Sequence, residues 1–200
     1  MKRLLILTVL MSLTIHFSSF ALDMRIGATV NYDKSAGTTL LPSVTDNNLD
    51  PYALEYVAGK GLSLYTQLDF LSNGVHTLGT QILLEANIYN GVRYKDLPYN
   101  DNTLELPILI NYTHTTNSVL DEGIGIGPYV SYQIQHNTLN LGACLSLYTA
   151  ILQGANGHVK LFARFYNDFT NNSDYTRRFI MFGVGFDYKI FDNKSKNNTN

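Results

Sequence analysis

Apolar and polar residues alternate with a period of two along most of the chain, and a segment near the carboxyl end shows this most clearly. From Phe179 to Ile190 every even position is bulky and apolar, while the odd positions from Gly183 onward hold Gly, Asp or Lys. Successive side chains of a β-strand point to opposite faces. The pattern therefore predicts a strand with one apolar face.

The same alternation recurs from Met24 onward and predicts eight strands in all. The predicted strands are Met24–Tyr32, Tyr52–Ala58, Leu62–Leu71, Thr103–Tyr112, Gly123–Gln135, Leu139–Ala150, His158–Asn167 and Phe179–Ile190. Gly59-Lys60-Gly61 is interpreted as a tight turn, because glycine readily takes positive φ. In an exported protein such strands are typical of an all-β fold, an eight-stranded antiparallel up-and-down transmembrane β-barrel.

The predicted connections alternate in length. Asp33–Pro51 and Ser72–Asn102 are long and polar, and we interpret them as outer loops facing short periplasmic turns, as in outer-membrane barrels. Within the second loop, Gly79–Tyr89 is expected either to extend the third strand or to form a short helix. Loops of this length are usually functional or mobile.

The amino terminus predicts export. Lys2-Arg3 precedes an apolar stretch, Leu4–Phe17, and Ser19-Phe20-Ala21 has the small-x-small form of a cleavage site. We expect residues 1–21 to be a signal peptide, 22–191 the barrel domain and 192–200 a polar disordered tail. After cleavage the mature protein is expected in the outer membrane of a Gram-negative cell.

Composition narrows the possible partners and chemistry. The formal net charge is −2, without the clustered basic face that a nucleic-acid partner requires, so none is expected. Cys144 is the single cysteine, which excludes an intramolecular disulfide. Beyond the signal there is no apolar run long enough for a transmembrane helix, which leaves a closed barrel as the way to cross a membrane.

Two strands carry a family resemblance. Leu104–Tyr112, which reads LELPILINY, resembles the LEIPLLLKY strand of the PorT-like outer-membrane β-barrel family common in Bacteroidetes. Gly125–Tyr132 is similar to the GxGPYVGY strand that follows it. The resemblance implies an eight-stranded barrel, and most members have no known biochemical activity. One departure is the tail after Phe191, since such barrels often finish near an aromatic residue that the assembly machinery recognises.

Sorting the strands into faces predicts a lipid-facing side without charges. Complete absence of charge is what lipid contact requires, because an exposed Arg or Lys at the bilayer midplane costs about 2–4 kcal/mol. Tyrosines near the strand ends are predicted to form interfacial girdles, where a phenol hydroxyl stays in contact with water. These are Tyr32, Tyr52, Tyr112, Tyr132 and Tyr188.

The opposite face carries four acids and four bases. They are Arg25, Glu55, Asp69, Glu105, Lys160, Arg164, Asp187 and Lys189. The interior of an eight-stranded barrel is only wide enough to be filled by side chains. We therefore interpret these residues as a structural network of paired charges that plugs the lumen. Glycines on this face would make room for larger neighbours, at Gly27, Gly125, Gly127, Gly142, Gly183 and Gly185.

Strand direction predicts specific pairs. With the amino terminus in the periplasm, Arg25 and Asp187 should be neighbours where the first and last strands meet. Asp69 and Glu105 are expected in the outer half of adjacent strands, with Arg164 reaching across the lumen between them to relieve their repulsion. Removing one partner of such a buried pair typically costs about 3–5 kcal/mol.

No catalytic, cofactor or metal site is predicted. Gly123–Gly127 lacks the Lys-Ser/Thr of a phosphate loop, and His76, His114, His136 and His158 do not have the sequence spacing of metal ligands.

Three functions are considered. The first is a small non-enzymatic outer-membrane barrel, a monomer in lipid inserted by the barrel-assembly machinery, whose outer loops contact an unknown surface ligand or envelope protein. The second is an outer-membrane lipid-modifying enzyme, and the third is a soluble periplasmic lipocalin-like barrel. The charge-bearing second face, unsuited to a lipophilic pocket, argues against the third.

Overall fold

Eight antiparallel strands close into a single up-and-down barrel, in which each strand pairs with its neighbours in sequence and the last pairs with the first. The computed structural model describes residues 23–40, 54–94, 97–117, 120–135, 137–154, 156–170 and 175–192. The strands are β1 Asp23–Leu40, β2 Leu54–Ser72, β3 His76–Tyr94, β4 Leu97–Asn117, β5 Leu120–Gln133, β6 Thr138–Gln153, β7 Gly157–Asp168 and β8 Tyr175–Asp192. The predicted fold class is confirmed.

Across these ranges, the structure contains no helix long and apolar enough to span a bilayer. The predicted signal peptide, residues 1–21, lies outside the described residues, as does the predicted tail except for Asp192, which ends β8.

The predicted turn at Gly59-Lys60-Gly61 is wrong, because β2 runs through it without interruption. A β-carbon at Gly61 would collide with the side-chain oxygens of Asn31 and Asn87, which reach across from β1 and β3. Neither glycine has positive φ; Gly74, in the true turn between β2 and β3, has φ of 89°. These two glycines make room for neighbouring side chains and do not reverse the chain.

The predicted outer loop Ser72–Asn102 is also wrong. This segment is the whole of β3 together with the start of β4, so of the two alternatives for Gly79–Tyr89 the strand is correct. It is a strand of its own, however, and not an extension of the one before it. The predicted number of strands, eight, is still correct because two errors cancel. The predicted second and third strands are a single strand, β2, and β3 is an additional strand that was not predicted.

Both termini of the barrel lie at one end, which we call the lower end; the connections after β1, β3, β5 and β7 lie at the upper end. The wall from β8 through β1 to β4 has strands of 18 to 21 residues, whereas β5 and β7 have 14 and 12. The barrel is therefore taller on the β8–β4 side.

The outward face carries a broad apolar band. Leu62, Leu64 and Ile126 are each more than 60 % exposed. Among side chains that the structure describes, the charges on the outward face are Lys60 and Arg178 toward the upper end and Glu122 at the lower end.

Tyrosines border this band. Tyr32 and Tyr132 lie toward the upper end, and Tyr112 and Tyr188 toward the lower end, all on the outward face. The arrangement is that of two aromatic girdles. Tyr52, the fifth tyrosine of the prediction, lies outside the described residues.

Inside the barrel, large aromatic side chains lie over glycines on the neighbouring strand. Tyr65 covers Gly27, and the same cross-strand arrangement is repeated three more times. The other three pairs are Tyr148 over Gly123, Tyr129 over Gly142 and Phe162 over Gly183. Because only a glycine leaves space for the ring, these pairs allow aromatic residues to fill a narrow lumen without spreading the strands.

Candidate functional site

The lumen contains a group of charges near its lower end that we call the lower cluster: Arg25, Asp69, Lys160 and Asp187. Asp187, on β8, is fully buried; its carboxylate lies 2.5 Å from the Lys160 ammonium and 3.3 Å from the Arg25 guanidinium. The Tyr65 hydroxyl donates a hydrogen bond of 3.0 Å to the same carboxylate. Arg25 also lies 3.8 Å from Asp69. One buried carboxylate is thus held by two cations and a phenol.

Below the lower cluster the lumen opens into a cavity of about 460 Å³. Its walls include Asp23 and Lys189, whose ion pair has a distance of 2.8 Å, and His158, whose Nδ1 lies 3.3 Å from an Arg25 nitrogen. The cavity is lined by both signs of charge and reaches the lower turns at Gly74. A space of this size and polarity holds many waters.

Aromatic side chains lie in the lumen above the lower cluster, and we call them the aromatic layer. Tyr65, Tyr148 and Phe162 come from three different strands, and the Lys160 ammonium lies 4.9 Å from the centre of the Tyr148 ring. The Arg164 guanidinium lies 4.0 Å from the centre of the Phe162 ring on the upper side. Between these groups lies a small cavity of about 10 Å³, about the least that can hold one water.

Above this layer lies a second group of charges, which we call the upper cluster: Glu85, Glu105, Arg164 and Tyr166. All four are at most 2 % exposed. Glu85 accepts short hydrogen bonds from the Arg164 guanidinium and the Tyr166 hydroxyl. Glu105, the register partner of Glu85, accepts hydrogen bonds of 3.1 Å from Asn87 and 3.0 Å from Thr103.

Aromatic rings pack around the upper cluster. Tyr166 stacks on Phe179 with ring centres 4.5 Å apart and meets Tyr129 edge to face at 5.0 Å. The Tyr129 hydroxyl donates a short hydrogen bond to Asp168 at the upper end of β7. The upper cluster is therefore enclosed by rings and hydrogen-bonded neighbours, in contrast to the open cavity under the lower cluster.

The structure places seven of the eight predicted charged residues inside the barrel. Arg25 and Asp187, expected to be neighbours, lie 3.3 Å apart, and Lys189 pairs with Asp23. Glu55 lies on β2 in register with Arg93, and its side chain is outside the described part of the chain.

The prediction that Arg164 lies between Asp69 and Glu105 is wrong. β3 runs between the strands that carry Asp69 and Glu105, so the two acids are not on adjacent strands, and Asp69 lies at the lower end, opposite Asp23. The carboxylate beside Glu105 is Glu85 instead. Arg164 points into the lumen, as expected, and forms its ion pair with Glu85.

Glu85, Tyr65 and Tyr166 are among the lumen residues that the sequence did not reveal, as are the buried acids Asp33 and Asp168. Glu85 lies in a segment where Ile82, Leu83 and Leu84 follow one another, which hides the alternation. Leu83 is fully buried, whereas its two neighbours are exposed, so the strand does alternate. Recognising Leu83 as an apolar lumen residue would have placed Glu85 on the same inward face.

Comparisons with known proteins identify the class of fold. No family model and no curated protein matches the chain. Among solved structures, Neisserial surface protein A is 11 % identical, with 83 % of this chain and 96 % of that chain covered and a TM-score of 0.55. The outer membrane enzyme PagL is 10 % identical, with 82 % and 98 % covered and a TM-score of 0.50. At these identities the likeness concerns the fold alone, which is that of a small outer-membrane β-barrel.

Proposed function

We propose that the protein is a small, non-enzymatic outer-membrane barrel whose lumen is plugged by paired charges and which acts at its outer end in surface contact or envelope assembly. The contrast between its two faces carries this proposal. Among the described side chains, the outward face is an apolar band with charges toward its edges, while the ion pairs of both clusters lie inside. Lipid outside and polar side chains inside is the arrangement of a membrane barrel, and the reverse of a lipocalin-type carrier.

A closed lumen is supported by the aromatic layer. An aqueous pore needs a continuous water path, whereas the free volume at the level of Phe162 and Arg164 is about 10 Å³. The charges on either side of the layer are tied to one another, so few are left to attract an ion. We therefore expect a plug and no channel.

The engagement of the carboxylates supports a non-enzymatic role. A catalytic carboxylate must meet its substrate, whereas Asp187 and Glu85 are both fully buried. Asp187 is held by Arg25, Lys160 and Tyr65, and Glu85 by Arg164 and Tyr166.

The remaining elements of the proposal concern assembly and orientation. We infer membership of the PorT-like family, cleavage after Ala21, insertion by the barrel-assembly machinery and a monomer in lipid. With the lower end in the periplasm, the outer end includes the upper parts of β1–β4 and β8 and the longer upper connections, 41–53 and 169–174. Because Ser72–Asn102 is a pair of strands, the expected contact surface moves to these upper segments.

Two measurements test the membrane location and the closed lumen. Folded barrels resist detergent until heated, so unboiled and boiled samples of the envelope protein should migrate differently in electrophoresis. Release of the wild-type protein from the periplasm without detergent would contradict the membrane location. Planar-bilayer recording of pure protein should show no conductance, and stable, reproducible single-channel steps would contradict the plug.

A labelling experiment tests the orientation. An epitope tag inserted in the connection 41–53 should be accessible to antibody on intact cells. The matched control is the same tag at Gly74, in the lower turn, which should become accessible only after the outer membrane is permeabilised. The opposite pattern would show that the upper end faces the periplasm, and it would contradict the proposal that the upper segments form the outer contact surface.

A further inference from the structure

Two histidines meet on the outward face at the lower end of the barrel. His76 begins β3, and its register partner is His114 on β4. Their imidazole rings stack with centres 5.0 Å apart, and the two Nδ1 atoms are separated by 3.4 Å. The Tyr112 hydroxyl lies 2.6 Å from the same His76 nitrogen. Thirty-eight residues of sequence separate the pair, which is why spacing along the chain did not reveal it.

The separation of the two nitrogens matches that of two ligands on one metal ion. Bonds from Zn²⁺ to imidazole nitrogen are about 2.0–2.1 Å long, and a tetrahedral angle between two such bonds puts the nitrogens about 3.3–3.4 Å apart. The observed 3.4 Å falls at this value. The two nitrogens therefore already lie at the separation that a shared ion requires.

The surroundings favour a cation that also needs water. Glu122, on β5, is the register partner of His114 and adds an exposed negative charge on the same outward face. The pair lies beside Tyr112 of the lower girdle, at the edge of the apolar band, where water completes a coordination shell. Neutral imidazole suits late divalent transition metals and is a poor ligand for Mg²⁺ or Ca²⁺.

We propose that His76 and His114 bind one divalent late transition-metal ion, Cu²⁺, Zn²⁺ or Ni²⁺, through their Nδ1 atoms at the lower rim of the barrel. Among the described residues no group of three or more ligating side chains has metal-binding geometry, so water fills the other positions. The ion displaces the hydrogen bond between Tyr112 and His76. Metal binding at this site does not depend on the proposed function. The proposed orientation adds only that the site faces the periplasm.

Titration of the folded barrel in detergent micelles with Cu²⁺ and Zn²⁺ tests the site by calorimetry. We expect one ion per chain, and an affinity at least about tenfold lower in His76→Ala and in His114→Ala, since even loss of an outer-shell partner costs that much. The matched control is His158→Ala, which removes a lumen histidine and should leave the affinity unchanged. Heat-dependent electrophoresis shows that each variant is folded.

Two further readouts separate this site from other metal binding. The electron paramagnetic resonance spectrum of the Cu²⁺ form should show coupling to two nitrogens in the wild type and lose it in the double variant His76→Ala/His114→Ala. Tyr112→Phe should retain binding, because the phenol only competes for the His76 lone pair. Equal affinity in the wild type and the double variant, or loss of binding in Tyr112→Phe, would overturn the proposal.

Discussion

Asp187 and Glu85 are both fully buried carboxylates in one narrow lumen, yet their surroundings differ in two ways. Asp187 is shared by Lys160, Arg25 and the Tyr65 hydroxyl, above a cavity of about 460 Å³. Glu85 has one cation, Arg164, and one phenol, Tyr166, inside a ring of aromatic side chains. The same type of ion pair therefore occurs once beside an open cavity and once among packed aromatic rings.

The aromatic layer of Tyr65, Tyr148 and Phe162 lies between the two clusters. Under the proposed function it keeps water of the lower cavity from Arg164. The layer depends in turn on glycines, because Gly27, Gly123 and Gly183 provide the space in which these rings lie. Three glycines on β1, β5 and β8 thus influence the dielectric environment of Arg164 on β7.

The different surroundings of Asp187 and Glu85 determine how much unfolding free energy is lost when one partner of either carboxylate is removed. A carboxylate left alone in a dry interior loses both its counter-ion and any chance of hydration, while one beside a cavity is partly solvated and keeps its other partners. We therefore expect the cost of deleting a cation to fall in the order upper cluster, lower cluster, cavity mouth.

Arg164→Met should produce the largest effect. It leaves Glu85 buried with Tyr166 as its remaining partner, and breaking a buried pair in this way costs about 3–5 kcal/mol of unfolding free energy. Urea unfolding of the barrel in detergent, followed by far-UV circular dichroism because the chain has no tryptophan, measures it.

Two controls accompany Arg164→Met. Lys60→Met, on the outward face toward the upper end, should change the unfolding free energy by no more than about 0.5 kcal/mol. The double variant Arg164→Met/Glu85→Gln should recover much of the loss, because it removes the stranded charge as well. A double variant no more stable than Arg164→Met would show that packing, and not the unpaired carboxylate, causes the destabilisation.

Lys160→Met tests the lower cluster. Asp187 keeps Arg25 at 3.3 Å and the Tyr65 hydroxyl at 3.0 Å, and water from the cavity can replace the ammonium. We expect a loss of about 1–2 kcal/mol, between the ranges for exposed and buried pairs. Measured in the same unfolding assay, a loss equal to that of Arg164→Met would erase the contrast between the clusters.

The sequence alone was sufficient for the fold class and the two faces, because alternation records which side of a strand meets lipid without any knowledge of its partners. Interpretation of the sequence fails where one residue type can serve two different structural purposes. Gly59 and Gly61 suggest a turn in the sequence, whereas in the structure they leave space for Asp33, Asn31 and Asn87. A glycine chosen for its flexibility and one chosen for its missing side chain look the same in a sequence.

The pairing of charges was beyond the sequence because it depends on register. If Ser72–Asn102 is interpreted as a loop, Glu85 does not appear in the lumen, and Asp69 and Glu105 are the acids left to pair with Arg164, whereas its actual partner is Glu85. The His76–His114 contact is lost for the same reason, since it exists only across β3 and β4. Arg25 and Asp187 were easier, because closure of the barrel brings the first and last strands together whatever happens between them.

Lys189→Met should have the smallest effect. Lys189 and Asp23 lie 2.8 Å apart at the cavity mouth, with side chains 12 % and 17 % exposed, so water and salt reach both charges. We expect a loss of about 0–1 kcal/mol in dilute buffer. In 1 M NaCl the screening length shrinks to about 3 Å, and this difference should vanish. The loss caused by Arg164→Met should persist in the same salt, because Arg164 and Glu85 are buried and buried pairs are screened much less. Equal salt dependence of the two variants would mean that solvent reaches both clusters and that the aromatic layer does not separate them.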